Sequence, residues 1–244
     1  MDSGYYAAST GLRSRLQALD LIANNLSNLH TAGFRAGMNT FSSLLAKSAA
    51  NSANPLARAI NDFGVLGNSH LDLSAGNLER TDNPADLAIE GPAFFVVQTP
   101  AGTFYTRQGN FQASARGQLV TGQGDPVLGQ AGPITVPSGT LSVSADGTIS
   151  AGGAVVGKLK LMEFAPGATP IPQGSAYYSV SENDVRPATT SFVRQGMIES
   201  SNVNPLAAMA ELITVQRQAD MFQRAQSLFY GDFHRIAASE LPRV

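Results

Sequence analysis

The chain has no cysteine, and it carries little charge. Without thiols it forms no disulfide, no zinc–thiolate centre and no thiol nucleophile. Charged residues make up 14% of its 244 positions, and the net charge is −2. Soluble domains usually carry about 25%. The cationic footprint that holds nucleic acid or an anionic membrane is therefore missing. Long apolar runs are missing too. No stretch approaches the ~18 continuous apolar residues of a membrane span, so direct membrane insertion is not expected. The N-terminus has no basic segment followed by an apolar one, so it does not read as a cleaved signal peptide. The scarcity of charge suits a surface covered by neighbours. It equally suits a β protein rich in Gly, Ala and Ser.

Catalytic patterns are also scarce. His30, His70 and His234 have no metal-ligand spacing. Gly122-Gln123-Gly124-Asp125 lacks the lysine and following helix of a phosphate loop. No nucleophile-elbow pattern supports a Ser-His-Asp set. Asp82, Asp86 and Glu90 are close in sequence, but in a strand-and-turn context they read as solvated. The sequence predicts no enzyme, no cofactor, no metal and no small-molecule substrate.

What is present is an apolar pattern at both ends. Tyr5, Ala8, Leu12, Leu19, Ile22, Leu26 and Leu29 recur at steps of three and four, with Arg15 as the polar interruption. Leu212, Val215, Ala219, Phe222, Gln226, Phe229 and Phe233 repeat the pattern. Each is a heptad seam, the period at which two helices keep one stripe facing each other. The first helix is predicted from Asp2 or Ser3 to about Asn28. Gly11 inside it costs roughly 1 kcal/mol relative to Ala. It marks either the close approach of another helix or a tolerated glycine. Gly33, after the helix, is free to take positive φ. Asn204 suits the N-cap of the last helix and Pro205 its first turn. That helix is predicted at least to Phe229, with Gly231 ending or weakening it.

Between the helices the period changes. Phe41, Leu44 and Leu45 suggest a helical turn, and Lys47–Asn61 reads as a loop. From about Leu71, short strands follow with turn signals roughly every ten residues. They include Phe94–Val97, Phe104–Arg107, Ile134–Val136 and Leu141–Val143. Asp146-Gly147 reads as a two-residue hairpin turn. Lys158–Phe164 mostly alternates, as a single half-buried strand does, and Tyr177–Val180 follows.

Four segments carry a resemblance. Beside the first seam stands Ala23-Asn24-Asn25-Leu26-Ser27-Asn28-Leu29-His30-Thr31-Ala32-Gly33-Phe34-Arg35. Beside the second stands Gly196-Met197-Ile198-Glu199-Ser200-Ser201-Asn202-Val203-Asn204-Pro205. In the middle are Asp86-Leu87-Ala88-Ile89-Glu90-Gly91-Pro92-Ala93-Phe94-Phe95 and Tyr105-Thr106-Arg107-Gln108-Gly109-Asn110-Phe111. Together these resemble the bacterial flagellar basal-body rod and hook family, over nearly all of the chain. Pro126–Gly129, Gly132–Pro137 and Ala145–Ser150 resemble the proximal-rod type most, and the distal-rod type next. Ala93 stands where the family usually has Gly, and Pro92 is also unusual.

The resemblance implies a structural subunit of the rod, the hollow drive shaft that transmits torque and conducts exported subunits. It implies a place in the periplasmic basal body, reached by type III export without a cleaved signal. The implied partners are other copies of the chain, other rod and hook subunits, and the export apparatus. The predicted fold class is α+β: long N- and C-terminal helices paired as a coiled-coil-like core domain, with a central, mainly antiparallel β domain. The predicted domains are 1–34 plus 196–244 for the helical polymerisation core, 35–70 for a linker, and 71–195 for the β-rich outer domain.

The candidate assembly residues follow from the seams, the rows beside them and the two terminal motifs. On the N-terminal side they are Leu12, Leu19, Ile22, Asn24, Asn25, Leu26, Asn28, Thr31, Gly33 and Phe34. On the C-terminal side they are Ser201, Asn202, Val203, Asn204, Met209, Leu212, Ile213, Val215, Phe222 and Phe229. Side-chain amides near an apolar stripe need partners, so Asn24, Asn25 and Asn28 are expected to bond the 201–204 loop. A second class, a secreted β-rich adhesin or a phage-tail-like structural protein, shares the short strands and low charge. It would not need matched helical seams.

Overall fold

The computed structural model describes residues 2–42, 65–137, 139–174 and 176–240. The chain divides into two compact units. One comprises Met1–Leu26, Gly37–His70 and Pro205–Val244, and the other Ser27–Ala36 and Leu71–Asn204.

In the first unit, helices span Asp2–Ser27 and Pro205–Glu240. The second starts at Pro205, where a missing N–H costs nothing, and runs through Gly231. The strands Gly37–Ser42 and Val65–Leu71 pair as a two-stranded sheet. Phe41 thus lies on a strand and not in a helical turn. Leu44, Leu45 and Lys47–Asn61 fall outside the described residues.

The predicted fold class needs correction. Among the described residues there is one α-helix at each end and a large β-rich central region, not long terminal helices paired as a coiled coil. The reason lies in the side chains. The buried line of the first helix runs through Ala8, Gly11, Ser14, Ala18 and Ile22. It is displaced from the predicted seam toward small residues, leaving Leu12, Leu19 and Leu26 half-buried. Large a and d knobs are what make a coiled coil interlock, and this line has one, Ile22. The buried apolar cluster shared by the two helices is Ala18, Ile22 and Val215, with Leu19 and Leu212 at its edge.

The β unit is antiparallel in its strand pairings. Its largest sheet has six strands, in the order Ile171–Gln173, Tyr177–Ser179, Gly102–Thr106, Ala93–Thr99, Leu161–Phe164 and Val185–Pro187. Both outer strands carry a proline, Pro172 and Pro187. Proline cannot donate to a ladder, so it belongs at an edge, where it also discourages edge-to-edge pairing. The central strand Ala93–Thr99 is buried from Ala93 to Val97. Its Phe95 meets Phe111 edge-on at 5.0 Å. Leu87, Val97, Leu119, Val127 and Ile149 complete much of this core.

Leu141–Val143, Thr148–Ala151 and Ala154–Lys158 form a separate meander. Ser144 N donates to Thr148 O at 2.9 Å and Gly147 N to Ser144 O at 2.9 Å. The turn therefore holds Ala145, Asp146 and Gly147, with Gly147 at φ +81°. The sequence signal marked the turn correctly but made it one residue short. Lys158–Phe164 is not one strand. Leu159 N donates to Gly147 O and Lys160 N to Leu128 O, so the chain leaves one sheet and enters another. Ile134–Val136 forms no strand; its Ile134 is instead buried in the core.

Candidate functional site

In the β unit, the turn after the first helix meets the segment before the last one. Thr31 Oγ1 donates to Asn28 Oδ1 at 3.0 Å, and Phe34 N donates to Thr31 O. Gly33 takes φ +68°, the left-handed region that glycine enters at little cost. A Cβ there would run into the backbone of Arg107 and Gln108. Gly33 N donates to Glu199 O at 2.7 Å, and Asn202 N to Phe34 O at 3.3 Å. The Asn202 amide works at both ends. Its Oδ1 accepts from Ala36 N at 2.7 Å. Its Nδ2 donates to Asp72 O at 2.9 Å and to Ser74 O at 3.1 Å. Ser201 Oγ accepts from Val203 N.

Behind these contacts lies buried charge. Arg35 and Glu199 are fully buried and Arg107 nearly so. Glu199 Oε1 lies 2.6 Å from Arg35 Nη2, and Oε2 lies 3.1 Å from Arg107 Nη1. Gly76 N donates to Oε1 at 2.8 Å. Arg107 also donates to the carbonyls of Ile89 and Gly91 and stacks over Phe94. Burial pulls the Arg107 guanidinium down to about 10, against the pull of Glu199. Arg35 N donates to the Tyr178 hydroxyl at 3.0 Å, and burial pushes that hydroxyl up to about 12.

In the helical unit, Asn25 forms a reciprocal pair with Gly37. Its Nδ2 donates to Gly37 O at 2.8 Å, and Gly37 N donates to its Oδ1 at 2.9 Å. Asn25 and Asn202 thus bond the successive residues Gly37 and Ala36. Leu19, Ile22, Leu212 and Val215 meet in the small apolar cluster. Gly11 admits Phe222: a Cβ at Gly11 would sit 2.6 Å from the Phe222 ring. This is the close approach that one reading of Gly11 predicted. Asn24 and Asn204 are exposed, Asn204 directly before the helix start, and Phe229 lies on the last helix.

Met209 and Ile213 are about half exposed. With Leu206, Met221 and Leu228 they form an apolar row on the last helix. At about 100° per residue, that row lies roughly opposite the line of buried Val215 and Ala219 and half-buried Leu212 and Phe222.

Sequence reasoning missed the ion cluster. Arg35, Arg107 and Glu199 all stand inside the quoted motifs, and charge is rare in this chain, which is the signal that was available. Asp82 and Glu90 form exposed ion pairs with Arg80 and Arg194. Asp86, read as solvated, is buried and accepts from Asn83. Among the described residues, no group of His, Asp and Glu is arranged to hold a metal, and no helix is long and apolar enough to cross a membrane. A cleft of about 430 Å³ is lined in part by Asp146, Lys158, Lys160, Met162 and Phe192. The Asp146–Lys158 pair at 2.9 Å holds the Asp146 carboxyl down to about 2.

Three family models match in chain order. Residues 6–35 match the flagella basal body rod protein model. Residues 88–151 match the flagellar hook protein FlgE/F/G D1 domain, and 194–227 the flagellar basal body rod FlgEFG protein C-terminal model. The chain is 34% identical to the flagellar basal-body rod protein FlgF of Mesorhizobium japonicum, over 89% of each chain. The chain belongs to the flagellar basal-body rod family. FlgF of Escherichia coli is also 34% identical, over 91% of each chain. FlgG of Buchnera aphidicola subsp. Baizongia pistaciae is 31% identical, over 87% of this chain and 90% of its own. Members of the rod family are structural proteins of a motility organelle and not enzymes. The rod-family segment 6–35 and the C-terminal segment 194–227 contain Arg35 and Glu199, both fully buried.

Proposed function

We propose that the chain is a proximal-rod subunit, exported unfolded, that polymerises with its own copies and with other rod and hook subunits. The observation that carries this reading is the exposed row Leu206, Met209, Ile213, Met221 and Leu228. Burying one such side chain is worth roughly 1.5–3 kcal/mol. Packing of this row on neighbouring subunits in a non-closing arrangement yields a filament. In this reading the terminal segments 1–34 and 196–244 carry assembly, and 71–195 forms the outer region. The FlgF relatives support the proximal type. A distal-rod subunit is the second reading, favoured by the FlgG relatives at 29–31% identity.

The test is an in-frame deletion in the host, followed by electron microscopy of isolated basal bodies. A rod that stops near its base supports the proximal assignment, and one that stops near its far end supports the distal. Normal rods and swimming overturn both. Met209→Ser with Ile213→Ser is expected to abolish assembly while the purified monomer keeps its circular dichroism.

A further inference from the structure

The ion cluster joins parts of the chain that lie far apart in sequence. The guanidiniums come from residues 35 and 107, and the carboxylate from residue 199. Arg107 has two carbonyls as further partners. Arg35 has none of this kind: its Nε and Nη1 have no hydrogen-bond partner among the described residues. Among the described residues its charge is paired with Glu199. The two cations also feel each other, since Arg35 lowers the pKa of Arg107. A buried charge is tolerated when it is paired, and removing its partner is strongly unfavourable. Glu199 also accepts from Gly33 N and Gly76 N through its carbonyl and carboxylate. One residue therefore holds the turn at 33–35, the segment at 76 and the guanidinium of residue 107.

Bringing residue 199 to residues 35 and 107 closes long loops, whose entropy is met before such non-local contacts reward it. Until residue 199 docks, Arg35 and Arg107 lack the carboxylate that pairs them. We propose that Glu199 is a late-closing key of the β unit: segments 33–35 and 72–76 stay undocked until Glu199 pairs with Arg35 and Arg107, after the central sheet has formed. The delay follows from the separation of the charges along the chain, and it goes beyond the rod assignment.

The test uses the full-length protein and Glu199→Gln. A contact absent from the folding transition state affects unfolding and leaves folding nearly unchanged. Unfolding in denaturant is expected to accelerate about tenfold or more, with folding within about twofold. Hydrogen exchange should show Gly33 and Gly76 amides deprotected and those of Ala93–Thr99 protected. Adding Arg35→Met to Glu199→Gln should slow unfolding again, because one of the unpaired charges is gone. Slowed folding with unchanged unfolding would show that the pairing is early and overturn the proposal. Unchanged Gly33 and Gly76 protection, or no recovery with Arg35→Met, would overturn it as well. If Glu199→Gln does not fold, full-length Glu199→Asp is read by the same rates and amides, with the same signature expected at smaller size.

Discussion

The β unit and the helical unit spend their apolar residues differently. The β unit gathers sixteen buried side chains into one continuous core. Among the described residues, the shared cluster of the two helices has three, while the last helix leaves five large apolar side chains exposed. One unit is built to stand on its own packing. The other keeps apolar surface unspent, which in the proposed reading is what subunits bury in each other. Burial follows this division residue by residue, and substitution can test it.

The largest effect is expected at Phe95, fully buried against Phe111. Phe95→Ala should cost about 3–5 kcal/mol in denaturant unfolding of the β unit. Ile22→Ala, in the small helical cluster, should cost only about 2 kcal/mol, the low end for such a truncation. Equal costs would end the contrast. Next comes Asn25→Ala, which strips both partners from Gly37. About 1–3 kcal/mol is expected, read as faster exchange of the Gly37 amide, with Gly33 unmoved. Gly11→Ala sharpens the comparison from the other side. The helix gains about 1 kcal/mol of propensity, but the new methyl presses on Phe222, and overpacking costs about 1–3 kcal/mol. A net loss confined to the helical amides is expected; a stabilised helix would show that Phe222 simply moves aside.

The smallest effect is one of pH. Tyr177 and Tyr178 are both pushed up to about 12, first by burial. A phenol whose folded pKa is raised binds its proton more tightly when folded. Its stabilising contribution is complete below about pH 10 and is lost as pH rises toward 12. Arg107, lowered to about 10, works in the opposite sense over the same range. Two phenols against one guanidinium should give a net fall in β-unit stability between pH 10 and 12, checked by urea midpoints. Tyr178→Phe should flatten that slope.

The helix ends were legible because their signals are local. Asn204-Pro205 marked the start of the last helix, and Gly33 needed only its own φ. The strand at Phe94–Val97 was legible from its apolar run. The helix contact was not, because heptad spacing records large side chains and the packed line uses Ala, Gly and Ser. The alternation over Lys158–Phe164 hid a change of sheet, since a period of two does not say which neighbour a strand finds. The amides of Asn25 and Asn202 were marked as candidates, but their partners, Gly37 and Ala36, carry no side-chain signal at all. The ion cluster depends on pairing across the whole chain, which no local pattern records.

Asn202 also bears on how the protein ages. Its oxygen receives one backbone N–H and its nitrogen faces two backbone carbonyls. Deamidation to aspartate leaves the shape nearly unchanged but replaces that nitrogen with an anionic oxygen, set directly against Asp72 O and Ser74 O. Glutamine keeps both functions and adds a methylene that the three fixed partners leave no slack for. A chemical change of one mass unit at this amide would therefore act as a break in the backbone connections it spans.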